Sequence, residues 1–225
     1  MQDAIISPDT RRDERLPPNQ VLTRKWPVLH EGEVPPFDPR TWDFTIFPRP
    51  LVADVKAFPW AEFAALPRRK VYADMHCVTR WSKLDNLWEG VPTTELLKHV
   101  TVSPDAKFVT VHCEYGYTTN LPVADFFADD CLLALSHNGQ PLSPDHGYPV
   151  RLVVPRLFAW KSAKWVRGVE FMTDDLPATK RVGPTAATTC AATRGRNLGF
   201  DPTTNAERPK AQECKRFRHR RRPPV

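Results

Sequence analysis

The sequence predicts a mixed α/β domain of the α+β type, with short strands, short helices and ligand-binding groups on loops at strand ends. Three observations carry this. Apolar and β-branched residues alternate in short runs, most clearly in Lys107-Phe108-Val109-Thr110-Val111-His112. The helical stretches are short and stop at prolines. Prolines number 24 in 225 residues, and each removes a backbone donor and tends to end a regular element. A chain of this length can bury one substantial core.

Taken in order, residues 1 to about 40 are proline-rich and weakly periodic. They read as an extended arm, assigned to 1–25, that wraps a body spanning 26–175 and is anchored by Trp26, Pro27, Val28 and Leu29. Short strands are expected at Thr45-Ile46-Phe47 and Val52-Ala53-Asp54-Val55. Trp60 to Ala65 reads as a helix stopped by Pro67. Lys70 to Met75 alternates as a strand leading into Cys77. Thr93 to His99 reads as a helix with Thr93 as its N-cap. Lys107 to His112 is a strand, Val123 to Ala128 a helical turn, and Cys131 to Ser136 a strand closed by the turn signal Asn138-Gly139. Val150 to Val154 and Trp165 to Met172 complete the strands. No repeat is present. From 176 to 225 large apolar residues nearly vanish, so this tail cannot offset its ordering entropy and is expected to be disordered.

Composition narrows the function. Charged residues make up 26% and mean hydropathy is −0.46. No apolar run approaches the roughly 18 residues of a membrane helix. Met1 to Pro18 has no apolar core, so Arg11-Arg12 is not an export signal, and a cytoplasmic protein without membrane contact is expected. Five cysteines are widely spaced without a C-x-x-C pair, which argues against a zinc ribbon, a redox dithiol, a haem attachment or an iron–sulfur set. The net charge of +6 belongs to the tail: residues 176–225 carry 12 Lys and Arg against 3 Asp and Glu. A basic tail permits nonspecific nucleic-acid binding, but it holds only Phe200 and Phe217 for base stacking, so nucleic acid is an unlikely partner.

Two stretches can carry chemistry. Cys77 closes a strand and is followed by Thr79, Arg80, Ser82 and Lys83. An isolated cysteine is commonly a small buried hydrophobe, but polar and cationic neighbours favour the thiolate, and thiolates suit soft or high-valent metals. The second stretch holds His146, Arg151, Lys161, Ser162 and Lys164 beside Gly147 and Ala163. A solvated basic face is one reading. The other is an anion clamp, with an arginine fork, lysine point charges and small residues that let the backbone approach. Neither G-x-G-x-x-G nor a P-loop is present, which counts against dinucleotides and nucleoside triphosphates. A soft ligand in one place and a phosphate clamp in another is what a metal-bearing, phosphorylated organic cofactor requires.

Over about 25–175 the sequence resembles the sulfite-oxidase superfamily of molybdopterin oxidoreductases, most closely its small bacterial members. The resemblance is carried by His76-Cys77-Val78-Thr79-Arg80-Trp81-Ser82 with Trp88-Glu89-Gly90-Val91, by Val111-His112-Cys113-Glu114-Tyr115-Gly116, and by Asn138-Gly139-Gln140-Pro141-Leu142 continuing through Trp165. It implies a sulfite-oxidase-type molybdopterin-binding domain holding a mononuclear molybdenum on a pterin dithiolene, with Cys77 as the protein ligand. It implies that His146 and Arg151 contact the pterin, that Lys161, Ser162 and Lys164 hold its phosphate, that Cys113 lines the cofactor, and that Arg80 faces the substrate. His30 is a candidate N-terminal contact. Oxygen-atom transfer to or from a small oxo substrate is the implied reaction, with electrons exchanged with a separate redox protein. A non-catalytic basic-tailed module and an inactive cofactor-binding remnant are the alternatives. The resemblance stops in the tail, where the family usually ends in Gly-Tyr-His-x-Arg-Gly-Asp and this chain has Ala186-Ala187-Thr188-Thr189-Cys190-Ala191-Ala192-Thr193. One codon set for that octapeptide, GCG GCT ACC ACA TGC GCG GCG ACC, reads Gly-Tyr-His-Met-Arg-Gly after its first two nucleotides are dropped. The tail is therefore expected to be a frameshift product beginning shortly after Pro177, which resequencing of the gene would test.

Overall fold

The structure, a computed structural model, describes residues 3–30, 32–48, 51–53 and 55–176. The expected tail, its disorder and its frameshift origin lie outside the described residues. Twelve strands are described: β1 Ala4–Ile6, β2 Val21–Leu22, β3 Asp43–Ile46, β4 Lys56–Pro59, β5 Arg69–His76, β6 Trp81–Pro92, β7 Phe108–Cys113, β8 Thr118–Pro122, β9 Leu132–His137, β10 Gln140–Pro141, β11 Arg151–Val153 and β12 Val166–Met172. The α-helices, α1 Trp60–Ala65 and α2 Val123–Phe126, are short, as the proline spacing requires.

The strands form two mixed sheets. The larger runs β1-β5-β6-β9-β10, with β11 also on β9 and β2 on β6, and the smaller runs β4-β3-β12-β7-β8. Parallel pairs occur only where distant segments meet, at β1–β5, β2–β6 and β3–β12. Strand β9 is buried on both faces, and its alternation divides two cores. Leu133 and Leu135 join Phe44, Ile46, Val109, Val111, Val169 and Phe171 of the smaller sheet in one cluster. Leu132 and Ala134 join Val71, Ala73, Met75 and Trp88 in a second, against which Trp26 and Trp81 pack.

Several expectations shift in position. The N-terminal arm is partly built into the sheet: Ala4 to Ile6 pair with Lys70 to Tyr72, and Ser7 donates to Asp130 at 2.7 Å. Arg15 grips Asp74 through two bonds of 2.9 and 2.6 Å. The stretch around Val52 makes an isolated bridge to Val102 in place of a strand. Residues Thr93–Lys98 wind as a 3-10 helix, and Thr93 donates its hydroxyl to the Phe126 carbonyl instead of capping. Asn138 and Gly139 both have positive φ, as a tight hairpin turn between β9 and β10 demands. Among the described residues no helix is long and apolar enough to cross a membrane.

Candidate cofactor cleft

Strands β5 and β6 are joined by a short loop that places Cys77. The Cys77 amide donates to the Trp81 carbonyl at 2.9 Å and the Arg80 amide to the Cys77 carbonyl at 3.0 Å, with Arg80 at φ 69°. This is a turn closed by a left-handed residue, a common way to end a hairpin. It fixes the Cys77 backbone from both sides, and Gln20 adds a bond to the same carbonyl at 3.1 Å. The side chain is 7% exposed and its sulfur accepts from the Thr79 hydroxyl at 3.2 Å.

Arg151 opens β11 between Val150 and Leu152, both wholly buried. It is 3% exposed. Its guanidinium donates to the His146 and Ser162 carbonyls, both at 2.9 Å, and its Nε has no partner. Among the described residues no carboxylate pairs with it, and burial pushes its pKa down to about 9. An uncompensated buried cation is costly unless an anion reaches it. Gly147, at φ 109°, makes the close approach possible: a Cβ there would stand 3.0 Å from Arg151 Cβ and 3.1 Å from Lys164 Cβ. Lys164 donates to the Asp145 carbonyl at 2.5 Å. Burial, aided by Arg151, pushes its pKa down to about 8.

Cys77, Arg151, Ser162 and Lys164 all line one cleft of about 1140 Å³. The other predicted residues lie around it. His146 sits behind the wall, its ring stacked on Trp26 at 3.8 Å and its carbonyl taken by Arg151. Burial and the Lys164 charge hold its pKa below the usual imidazole range. Cys113 ends β7 in the shared core, outside the lining, and burial pushes its thiol pKa up. Lys161 turns toward β8, donating to the Asn120 carbonyl and, at 3.0 Å, to the Asn120 Oδ1. Its ammonium also lies 4.5 Å from the Trp160 ring centre. Arg80 is exposed on the hairpin loop and is not part of the lining. His30 is on the lining, edge-on to Trp165 at 5.3 Å.

The lining also includes residues not singled out as site residues: Trp26 to Leu29, Tyr115 and Trp160. Trp26 was visible as an anchor, but its role as a wall depends on contacts with His146, Trp88 and Arg151 that no local pattern encodes. Tyr115 carries a signal of its own, since Gly116 beside it marks a turn and both have positive φ.

The residues present fit a metal-bearing anionic cofactor. Among the described residues no cluster of three or more His, Cys, Asp or Glu could hold a metal. The acid-free, buried Arg151 supplies the charge that an anionic group would need. Fold and cleft together present a buried thiol and a buried cation on one cleft, the arrangement of a protein that binds an anionic prosthetic group.

Comparison with known proteins gives the class a family. The chain belongs to the oxidoreductase molybdopterin-binding domain family, which matches residues 31–180, and molybdopterin is its cofactor. It is 44% identical over 164 residues to the uncharacterized oxidoreductase YuiH of Bacillus subtilis, covering 72% of this chain and 82% of that protein. It is 31% identical over 163 residues to a putative protein-methionine-sulfoxide reductase subunit, YedZ1, of Azospira oryzae, covering 71% of this chain and 61% of the relative. It is 32% identical over 102 residues to an inducible NADH nitrate reductase of Glycine max, covering 40% of this chain and 12% of that protein. The fold is similar to that of the sulfane dehydrogenase SoxCD of Paracoccus pantotrophus, with a TM-score of 0.56 and 23% identity, covering 64% of this chain and 41% of the other.

Proposed function

We propose that the cleft holds a mononuclear molybdenum carried by a pterin, and that the protein moves an oxygen atom to or from a small oxo substrate while exchanging electrons with a separate protein. The observation that carries this reading is the shared cleft of the Cys77 sulfur and the acid-free Arg151. When bound, the group supplies a metal that alternates between oxidation states IV and VI and so moves oxygen without a protein nucleophile. Cys77 is the metal's protein ligand, presented by the hairpin turn. Arg151 meets the pterin and Lys164 its phosphate, with Ser162 beside them on the lining. Ser162 also ties the wall together, its hydroxyl accepting from the Val154 amide at 3.0 Å. His146 acts through Trp26 and Arg151, and Lys161 through Trp160 and Asn120. Cys113 backs the site as a neutral thiol.

The relatives' names support an oxidoreductase but cover both a neutral sulfoxide and nitrate. The Azospira protein is named as a subunit, which supports a separate electron partner. The test is molybdenum and pterin analysis of protein made in cells that synthesise the cofactor, followed by a substrate screen with a reduced dye as electron donor. About one molybdenum per chain and dye-coupled turnover are expected. Protein free of both metal and pterin would overturn the reading.

A further inference from the structure

The segment between Asn19 and the indole of Trp26 touches both walls of the cleft. It begins in a β-turn, Pro17 to Gln20, closed by the Gln20 amide donating to the Pro17 carbonyl at 3.2 Å. Pro18 stands where proline's fixed φ suits a turn, and Asn19, at φ 63°, takes the left-handed position that asparagine tolerates. The turn delivers Gln20 to the β5–β6 hairpin. Its Nε2 donates to the Cys77 carbonyl at 3.1 Å, and its Oε1 accepts from the Ser82 hydroxyl at 3.2 Å. One side chain thus clasps the hairpin on both sides of its loop. A carbonyl can only accept, so the contact with Cys77 fixes which way the amide faces. Ser82 is wholly buried and, with its hydrogen committed to Gln20, accepts from His76 Nδ1 at 2.8 Å.

Burial does not account for this placement. Val21 and Leu22, the two residues of β2, are 68% and 56% exposed, so the strand gains little from the hydrophobic effect. Directional bonds hold it: the Val21 amide donates to the Arg80 carbonyl and the Thr23 amide to the Ser82 carbonyl, each at 2.8 Å. Upstream, Arg15 pins the segment to Asp74 and Asp85. Downstream, the Thr23 hydroxyl donates to the Lys25 carbonyl at 2.9 Å. Trp26 then meets the other wall, its carbonyl accepting from His146 Nε2 at 3.3 Å and its ring 4.9 Å from the Arg151 guanidinium. The Cys77 carbonyl takes two donors, from Gln20 and Arg80, which fills both of its lone pairs. A peptide held this way cannot rotate without breaking a bond, and the Cys77 side chain follows its peptide.

We infer that Gln20 is a positioning residue for the reaction: residues 20–26 tie the thiol wall to the cation wall, and the Gln20 amide sets the direction from which the Cys77 sulfur meets the metal. The inference rests on the molybdenum reading above. Gln20 is outside the cleft lining, so it acts through the Cys77 peptide and not by touching substrate. Groups that orient a metal's protein ligand tune the metal as well as hold it.

The experiment uses Gln20→Ala, which removes both side-chain bonds, and Gln20→Glu, which keeps an acceptor for Ser82 and removes the donor to Cys77. In the cofactor-free full chain, iodoacetamide at fixed pH alkylates the thiols, and peptide mapping assigns each rate. Both variants should modify Cys77 about fivefold faster than the parent, the size of one neutral hydrogen bond, while the buried Cys113 and Cys131 keep their rates. In the molybdenum-loaded protein, the electron paramagnetic resonance signal of molybdenum(V) should shift in both variants. Dye-coupled kcat should fall about tenfold, with KM within about twofold of the parent. Unchanged alkylation of Cys77 overturns the inference, as does equal acceleration at all three thiols, which would report loosening of the whole fold. A Gln20→Glu protein that matches the parent, an unmoved resonance signal, or a raised KM at unchanged kcat overturns it too. Absence of metal and pterin overturns only the reading of the cofactor, because the alkylation rates are measured without either.

Discussion

The two walls of the cleft are built on opposite principles. The thiol wall is a hairpin, where backbone bonds on either side of Cys77 set the sulfur's position and the sulfur itself has one weak donor, Thr79. The cation wall, Gly147 to Trp165, contains little regular structure, and its shape is held by the buried guanidinium of Arg151 bridging two carbonyls 16 residues apart, at His146 and Ser162. The functional group of the first wall can thus be changed without moving the wall. On the second wall the functional group is also the fastener.

The sharpest test of that contrast is Cys77→Ser. Dye-coupled turnover should fall by about three orders of magnitude or more, since a hydroxyl is a poor ligand for a soft or high-valent metal. Stability of the cofactor-free protein should change by about 1 kcal/mol or less, read from denaturant midpoints. Equal losses of stability and activity would erase the distinction between the walls. Arg151→Lys keeps the charge and removes the fork. It should lower bound pterin about tenfold, about 1.4 kcal/mol, and also lower the denaturant midpoint, because two buried carbonyls lose donors.

Proton-linked stability offers smaller effects. Burial holds the His137 pKa at about 3, against 6.5 for a free imidazole, with the Lys83 and Arg151 charges adding to burial. The unfolded chain therefore binds this proton first, and stability should decline as pH falls from about 6.5 toward 3. His137→Asn should flatten that decline in denaturant titrations across the range. Lys164 behaves in the same sense at higher pH. Its folded pKa is about 8 against 10.5, so the unfolded chain binds more protons between those values. The cofactor-free protein should gain stability as pH rises from about 8 to 10.5. Lys164→Met should remove that gain, and bound phosphate should oppose it by stabilising the cation.

Much of this was readable from local pattern. The helix at Trp60, the strands bearing Lys70 to Met75 and Lys107 to His112, and the Asn138-Gly139 turn all follow from period and turn chemistry. The longest strand, Trp81–Pro92, was not, because its alternation is interrupted by Asp85 in a left-handed conformation and by Gly90 and Pro92 at its end. It is held by pairing on both sides, to β5 and β9, which no window of sequence contains. The meeting of Cys77 with Arg151 and Lys164 at one cleft rested on the family resemblance, since a separation of some seventy residues has no local signature. Lys161 shows the limit of reading charge alone: it looks equivalent to Lys164, yet Asn120 and Trp160 hold it away from the lining.

Trp26 has a practical consequence. The family match begins at residue 31, yet Trp26, Pro27, Val28 and Leu29 form part of the cleft. A shortened version cut at the homology boundary would keep the smaller sheet and the thiol, strip β1 and β2 from the larger sheet, and open one side of the chamber to bulk water. Such a truncation would leak its prosthetic group, so anyone trimming this protein should keep the indole and the strands Ala4–Ile6 and Val21–Leu22 ahead of it.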